Sequence, residues 1–139
     1  MIKIKIYIIF SIISFSFSQG PWIMTGRVHN ELKWNTLTTE HYRVHYHQGI
    51  EEIARQGASI AEQVHSTLLS QVGLESVPII DIIFTAEDEI MNGYAIHTNQ
   101  TFIWVDQNDA VIWLEDEKWL YQVLAHELQH IMYFNAVKT

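Results

Sequence analysis

The chain has 139 residues, with 16 Asp and Glu against 8 Lys and Arg, a formal net charge of −8 and 48 % apolar residues. This acidity argues against nucleic acid or an anionic membrane as a partner, because both repel a negative chain. No cysteine is present, which excludes disulfides and lipid attachment at a cysteine.

Met1 to Lys5 form a short basic start, and Ile6 to Phe17 an apolar run diluted by serines. Ser16 and Ser18 place small residues where a signal peptidase reads. Residues 1–18 are therefore expected to be a secretory signal peptide cut after Ser18. The run is shorter than the roughly 20 residues that span a bilayer. The mature chain is expected to be secreted or periplasmic, with no stable membrane insertion. Loss of Lys3 and Lys5 leaves six basic residues against 16 acidic ones, a net charge of −10. About 120 residues remain, enough for one domain.

Residues 19–38 read as irregular, with Trp22 and Trp34 as hydrophobic anchors. Thr39 to His47 reads as a strand, because Tyr42, Val44 and Tyr46 alternate with His41, Arg43, His45 and His47. Histidines at i, i+2 can bind a metal or line a solvated face; no carboxylate or cysteine pattern accompanies them, which favours the solvated face. Ile50 to Gln71 has helical spacing, with Ile50, Ile53, Ile60, Ala61, Val64 and Leu68 on one stripe. Glu51 and Glu52 suit the start of that helix and Gly73 its end. After Pro78, the apolar run Ile79 to Phe84 predicts a central strand buried on both faces. Thr85 to Glu89 is an acidic loop. Tyr94 to His97 and Phe102 to Val105 predict a hairpin, and Asn108-Asp109 another turn. The order of elements predicts an α+β domain over 39–139. It has a small mixed sheet, a long helix after the first strand and a C-terminal helix.

That last helix carries His126-Glu127-Leu128-Gln129-His130. Residues four apart on a helix share a face, with Cβ atoms roughly 5–6 Å apart. The spacing lets two imidazoles reach one tetrahedral Zn²⁺ at about 2.0–2.1 Å each. A glutamate directly after the first histidine can act as general base on a water held by the metal. No proline or glycine interrupts 115–137. At about 100° per residue, Leu120, Val123, Leu124, Leu128, Ile131 and Phe134 form one apolar arc, and Gln122, Gln129 and Tyr133 lie opposite. His126 and His130 fall at the border. Glu127 falls inside the apolar arc, where a carboxylate is costly unless something pairs with it. A solvated polar face would instead group Glu127 with the glutamines. Glu115, Asp116 and Glu117 precede the helix as partners for the histidines or as a solvated start. Tyr94 and Tyr133 are either oxyanion stabilisers or packing residues, and His97 is a candidate for lining a cleft.

From Trp34 onward the chain resembles the gluzincin branch of zinc metallopeptidases. More narrowly, it resembles the peptidase-MA-like domains of exported bacterial proteins, which often precede a TolB-like β-propeller. Thr39 to Tyr46, Ile60-Ala61-Glu62, Asp81 to Thr85, Asn92-Gly93-Tyr94-Ala95 and Leu124 to His130 carry the resemblance. It implies a zincin-like fold and zinc-dependent hydrolysis of a peptide or protein substrate. His126 and His130 would be the metal ligands and Glu127 the catalytic base. The stretch containing Asn92, Gly93, Tyr94 and Ala95 would be an edge strand that receives extended substrate. Gluzincins take a third ligand, a glutamate, from a later helix, and none follows His130; it is expected beyond Thr139, with the present chain a fragment. Tyr133 and Ala136 stand where the metzincin extension needs glycine and histidine, which excludes that branch. The alternative is a non-catalytic peptidase-like module that binds or orients a neighbouring domain such as a propeller.

Overall fold

The structure, a computed structural model, describes residues 31–86, 92–105 and 117–138. The chain divides into two units, Met1–Asn30 and Glu31–Thr139, and every described residue belongs to the second. The expected leader, Trp22, most of the acidic loop, the Asn108-Asp109 turn, Glu115 and Asp116 lie outside the described residues.

Five strands form one mixed sheet: β1 (Trp34–Thr38), β2 (Tyr42–His47), β3 (Ile80–Thr85), β4 (Asn92–Ile96) and β5 (Gln100–Trp104). Two helices accompany them, α1 (Glu51–Val72) and α2 (Glu117–Ala136). The architecture is α+β. The spatial order is β1-β2-β3-β5-β4. β2, β3 and β5 run parallel, and β1 and β4 pair antiparallel at the two ends. The β4–β5 hairpin turns inward, so β5 joins β3 and β4 becomes an edge. β5 suits the interior because Thr101, Ile103 and the adjoining Val105 are buried.

Both helices pack on the same face of the sheet, α1 against β2 and α2 against β4 and β5, and they touch each other. Tyr42, Val44, Ile80, Ile82, Phe84, Ile103, Leu124, Leu128 and Ile131 lie in that layer, all with 0 % exposure. Alternation in β3 is clean: Ile80, Ile82 and Phe84 are buried, while Asp81, Ile83 and Thr85 are only partly covered. The expectation of a strand buried on both faces is thus corrected. The helices cover one side only, and Asp81 on the other side takes an ion pair with Arg43.

Residues 34–38, expected to be irregular, form β1, registered from Trp34↔His47 to Thr38↔Arg43. Only Leu37 of that strand is even partly buried. An edge strand held by its backbone ladder carries no hydrophobic alternation to announce it. Trp34 is no core anchor: it is 48 % exposed and touches His47 edge-on.

The buried face of α1 is shifted from the predicted stripe. Its contact surface is Ala54, Gly57, Ala58, Ala61, Val64, His65, Leu68 and Leu69, with Ile53 and Ile60 at the margin. Small residues let the helix approach the sheet closely. A Cβ at Gly57 would lie 2.5 Å from Phe84 Cζ and 3.6 Å from Leu124 Cδ1. Gly73 ends α1 as predicted, in the left-handed conformation with φ 73°.

Gly57→Ala sets two effects against each other. Alanine gains about 1 kcal/mol of helix propensity, while overpacking a rigid, buried ring costs about 1–3 kcal/mol. A net loss of roughly 1 kcal/mol is expected in urea denaturation; a variant more stable than wild type would show that Phe84 moves aside freely.

Candidate metal centre

The α2 wheel holds in three dimensions. Leu120, Leu124, Leu128 and Ile131 are buried, joined by Met132, while Gln122, Gln129 and Tyr133 are exposed. Glu127 lies on the buried side at 7 % exposure. His126 and His130, expected at the border of the apolar arc, are exposed.

The two imidazoles converge. His126 Nε2 and His130 Nε2 are 3.1 Å apart, with ring centroids at 4.6 Å and planes at 88°. Two nitrogens bound at about 2.0–2.1 Å to one tetrahedral ion stand roughly 3.3–3.4 Å apart. The pair is held by a hydrogen bond slightly shorter than that separation, so a small opening would let both nitrogens reach one ion. Phe134, one turn further, lies near His130 with ring centroids 6.3 Å apart and planes at 21°. Among the described residues, no group of three His, Cys, Asp or Glu side chains is arranged to hold a metal. The described residues thus show two converging donors.

Glu127 faces β4. A Cβ built on Gly93 would lie 2.6 Å from Glu127 Cγ, 2.9 Å from Glu127 Oε1 and 2.8 Å from Val123 Cγ2. The missing side chain at Gly93 is what lets α2 lie this close to the strand. The Glu127 carboxylate has no hydrogen-bond or ion-pair partner among the described residues. A buried carboxylate left in that state is unfavourable, and such groups concentrate where a ligand or reacting group completes them. His126, one residue earlier, borders a groove of about 530 Å³ between the helices. Thr67, Gln71, Tyr121 and Gln129 also line it.

The edge strand expected at Asn92, Gly93, Tyr94 and Ala95 is β4, and it does lie at the sheet edge. Gly93 and Ala95 face the helices, and Tyr94 points to the other side, paired across from Phe102. Tyr94 and Tyr133 are 40 % and 58 % exposed, so neither is a core packing residue. His97 is exposed in the β4–β5 turn, beside the end of α2, where its carbonyl accepts a hydrogen bond from Lys138 Nζ.

The strand histidines are not a solvated row, nor are they gathered together. His41 donates from Nδ1 to Glu62 Oε2 at 2.7 Å and from its backbone N–H to Glu62 Oε1 at 2.9 Å. Its ring stacks on His65 at 3.8 Å, and His65 Nδ1 bonds the Tyr42 hydroxyl at 2.7 Å. His45 lies between Asp81 Oδ1 at 3.0 Å and Thr36 Oγ1 at 2.9 Å. His47 is fully buried. Its Nε2 accepts the Ala86 N–H and its Nδ1 donates to the Gln48 carbonyl, which fixes the tautomer. The carboxylates that partner these rings come from α1 and β3, too distant in sequence to read as a local pattern.

Burial and the neighbouring His41 hold the His65 imidazole below its ordinary value, against the pull of Glu62 and Glu40. For Glu62, burial works upward. Hydrogen bonds from Thr39 and from the His41 side chain and backbone outweigh it and hold the carboxyl below its usual range. Asp81 follows the same pattern: burial raises it, and the bonds from His45 and Arg43 bring it down further than burial lifts it.

Comparison with family models, curated proteins and solved structures gives no match to this chain.

Two outcomes are expected. Gly93→Ala should destabilise the fold by about 1–3 kcal/mol through overpacking. Much of that loss should vanish in a Glu127→Ala background, which removes the nearest clashing carbon; strictly additive losses in a double-mutant cycle would refute the contact. Acid should weaken the β2–α1 junction. The unfolded chain protonates His65 near pH 6.5 and Glu62 near 4.5, the folded chain only at lower pH. In those windows the unfolded state binds more protons, so stability falls as pH falls through 6.5, and again below 4.5. Urea midpoints of wild type should drop more steeply from pH 7 to 5 than those of His65→Gln; equal slopes would remove His65 from the account.

Proposed function

We propose that this chain is part of a gluzincin-type zinc metallopeptidase with a zincin-like fold, acting on peptide bonds of extended substrates outside the cytoplasm. One observation carries the reading. Two imidazole Nε2 atoms converge at 3.1 Å on the border of a helix whose intervening glutamate is buried and unpaired among the described residues. A helix evolved only for packing has no use for a carboxylate in its apolar arc.

Zinc, when bound, supplies a Lewis acid that polarises a carbonyl and lowers the pKa of a water toward about 7. His126 and His130 would hold it as neutral imidazoles, each giving the Nε2 lone pair. A third protein ligand, in the gluzincin pattern a glutamate from a later helix, would come from outside the described residues. Glu127 follows the first ligand in sequence and would act on a water rather than as a ligand itself. As general base it takes one proton from the attacking water, whose oxygen bonds to the scissile carbonyl carbon. It then hands the proton to the amine nitrogen as the C–N bond breaks. Glu127 is buried and packs against Gly93, which favours a positioned proton transfer over a mobile carboxylate.

β4 supplies the substrate platform. It ends the sheet, lies beside Glu127 and can accept an extended peptide as a sixth strand. Main-chain pairing of that kind is indifferent to side chains, so it favours unfolded or loop segments over any one sequence.

The decisive experiment uses the protein with its native sequence context. Wild type should bind one zinc per chain and cleave an unfolded protein substrate. Glu127→Gln should keep the zinc and lose cleavage by at least about a hundredfold, and His126→Ala should lose both. Zinc without cleavage would support the non-catalytic module, and full activity in Glu127→Gln would defeat the assigned role.

A further inference from the structure

Resting on the reading above, we infer that Asn99 and Asn135 form a positioning clasp that holds the edge strand β4 in register with the catalytic residues of α2. As an edge strand, β4 is laddered to the sheet only through β5. Its placement over α2 depends on what touches the helix directly. One such point is Gly93, seated against Glu127 and Val123. Ala95 also faces the helices, but Gly93 and Ala95 carry little or no side chain, so they set how close the strand lies and supply no polar tie to α2.

The second point lies at the far end of the strand, in the turn to β5. Asn135 Nδ2 donates one proton to Asn99 Oδ1 at 2.8 Å and the other to the Ile131 carbonyl at 2.8 Å. Both protons of that nitrogen are used, which fixes the orientation of the Asn135 amide and leaves oxygen as the partner on Asn99. Asn99 takes the left-handed conformation, φ 61°, and its own carbonyl accepts the Asp81 N–H at 2.9 Å. It therefore joins three elements: the β4–β5 turn, the start of β3 and the last turn of α2. Lys138 Nζ, donating to the His97 carbonyl, adds a neighbouring tie.

Glu127 and Asn135 are eight residues apart, about 12 Å along the helix axis. Contacts at Gly93 and Asn99 therefore bracket β4 over two turns of α2, and the side-chain bond at Asn99 adds a directional tie at the end of the strand where packing supplies none. A peptide lying along β4 would inherit that alignment. Its scissile bond would be set against His126, Glu127 and His130 by the same two points. The clasp is dispensable to the core, because Leu124, Leu128 and Ile131 seat the helix on the sheet independently.

Asn99→Gly is the cleanest test, since glycine keeps the positive φ without strain and deletes only the side-chain bond. With zinc content and near-ultraviolet circular dichroism unchanged, kcat on an unfolded protein substrate should fall about tenfold while KM moves less than about twofold, because misalignment penalises the transition state. Asn135→Ala should match it, and the double variant should be no worse than either single one. Asn99→Asp keeps an acceptor for Asn135 and tolerates the left-handed conformation, so it should restore most of kcat. Unchanged kcat in Asn99→Gly, additive losses in the double variant, failure of Asn99→Asp to rescue, or a fall in kcat that tracks lost zinc or lost folding would each overturn the clasp. Wild type without zinc or cleavage would overturn the peptidase reading first and the clasp with it.

Discussion

The approach of α2 to β4 at Gly93 is the constraint on which the site depends. Helices normally pack on sheets at a separation set by side chains on both surfaces. Here one surface lacks a side chain at the point of closest approach, and the stem of Glu127 fills the space. That contact buries Glu127 and turns it toward the sheet edge, while His126 and His130 stay exposed. The same device recurs at Gly57, where the absent side chain admits Phe84 and brings α1, β3 and α2 together. Two glycines, by lacking a side chain, thus set the spacing of both helices on the sheet.

The sheet has two unlike faces. Under the helices it is apolar and fully buried; on the other side it carries Arg43, His45, Asp81 and Thr36 in one hydrogen-bonded set across β1, β2 and β3. Arg43 grips Asp81 with two nitrogens at 2.7 and 2.8 Å. Half-exposed pairs of this kind contribute modestly to stability. Their clearer effect is on register, since a slip by one residue would point these groups into the apolar layer. The cluster of His41, Tyr42, Glu62 and His65 does similar work where β2 meets α1. Burial pushes the Tyr42 phenol up, so it remains an uncharged partner for His65.

These features together link packing to the proposed chemistry. The core immobilises α2, the i, i+4 spacing converges two imidazoles, and the glycine contact aims the carboxylate. The hairpin then delivers an edge where extended chain can be laid beside it. Rigid elements carry every named group, which is how a site holds small tolerances without a ligand in place.

The sequence by itself determined what depends on local spacing. The helix spanning Glu117–Ala136, its buried arc, the anomalous Glu127 and the paired histidines all follow from a period of 3.6 residues, and Gly73 follows from its freedom at positive φ. The main run of β2 was legible from alternation with a period of two, and the hairpin from the polar turn between its strands. What the sequence did not reveal has no periodic signature. β1 exists because β2 offers it a ladder, although its own residues gain almost no burial. The buried face of α1 runs through Ala54, Gly57 and Ala58, whose importance lies in being small where Phe84 and Leu124 arrive. His41, His45 and His47 looked alike on one strand, yet each found a different partner more than a dozen residues away or at the strand end. Gly93 against Glu127, and Asn99 against Asn135, join residues 34 and 36 positions apart. Only the folded chain decides such contacts, because the free energy that selects them comes from the shape of the space between elements, which no single segment contains.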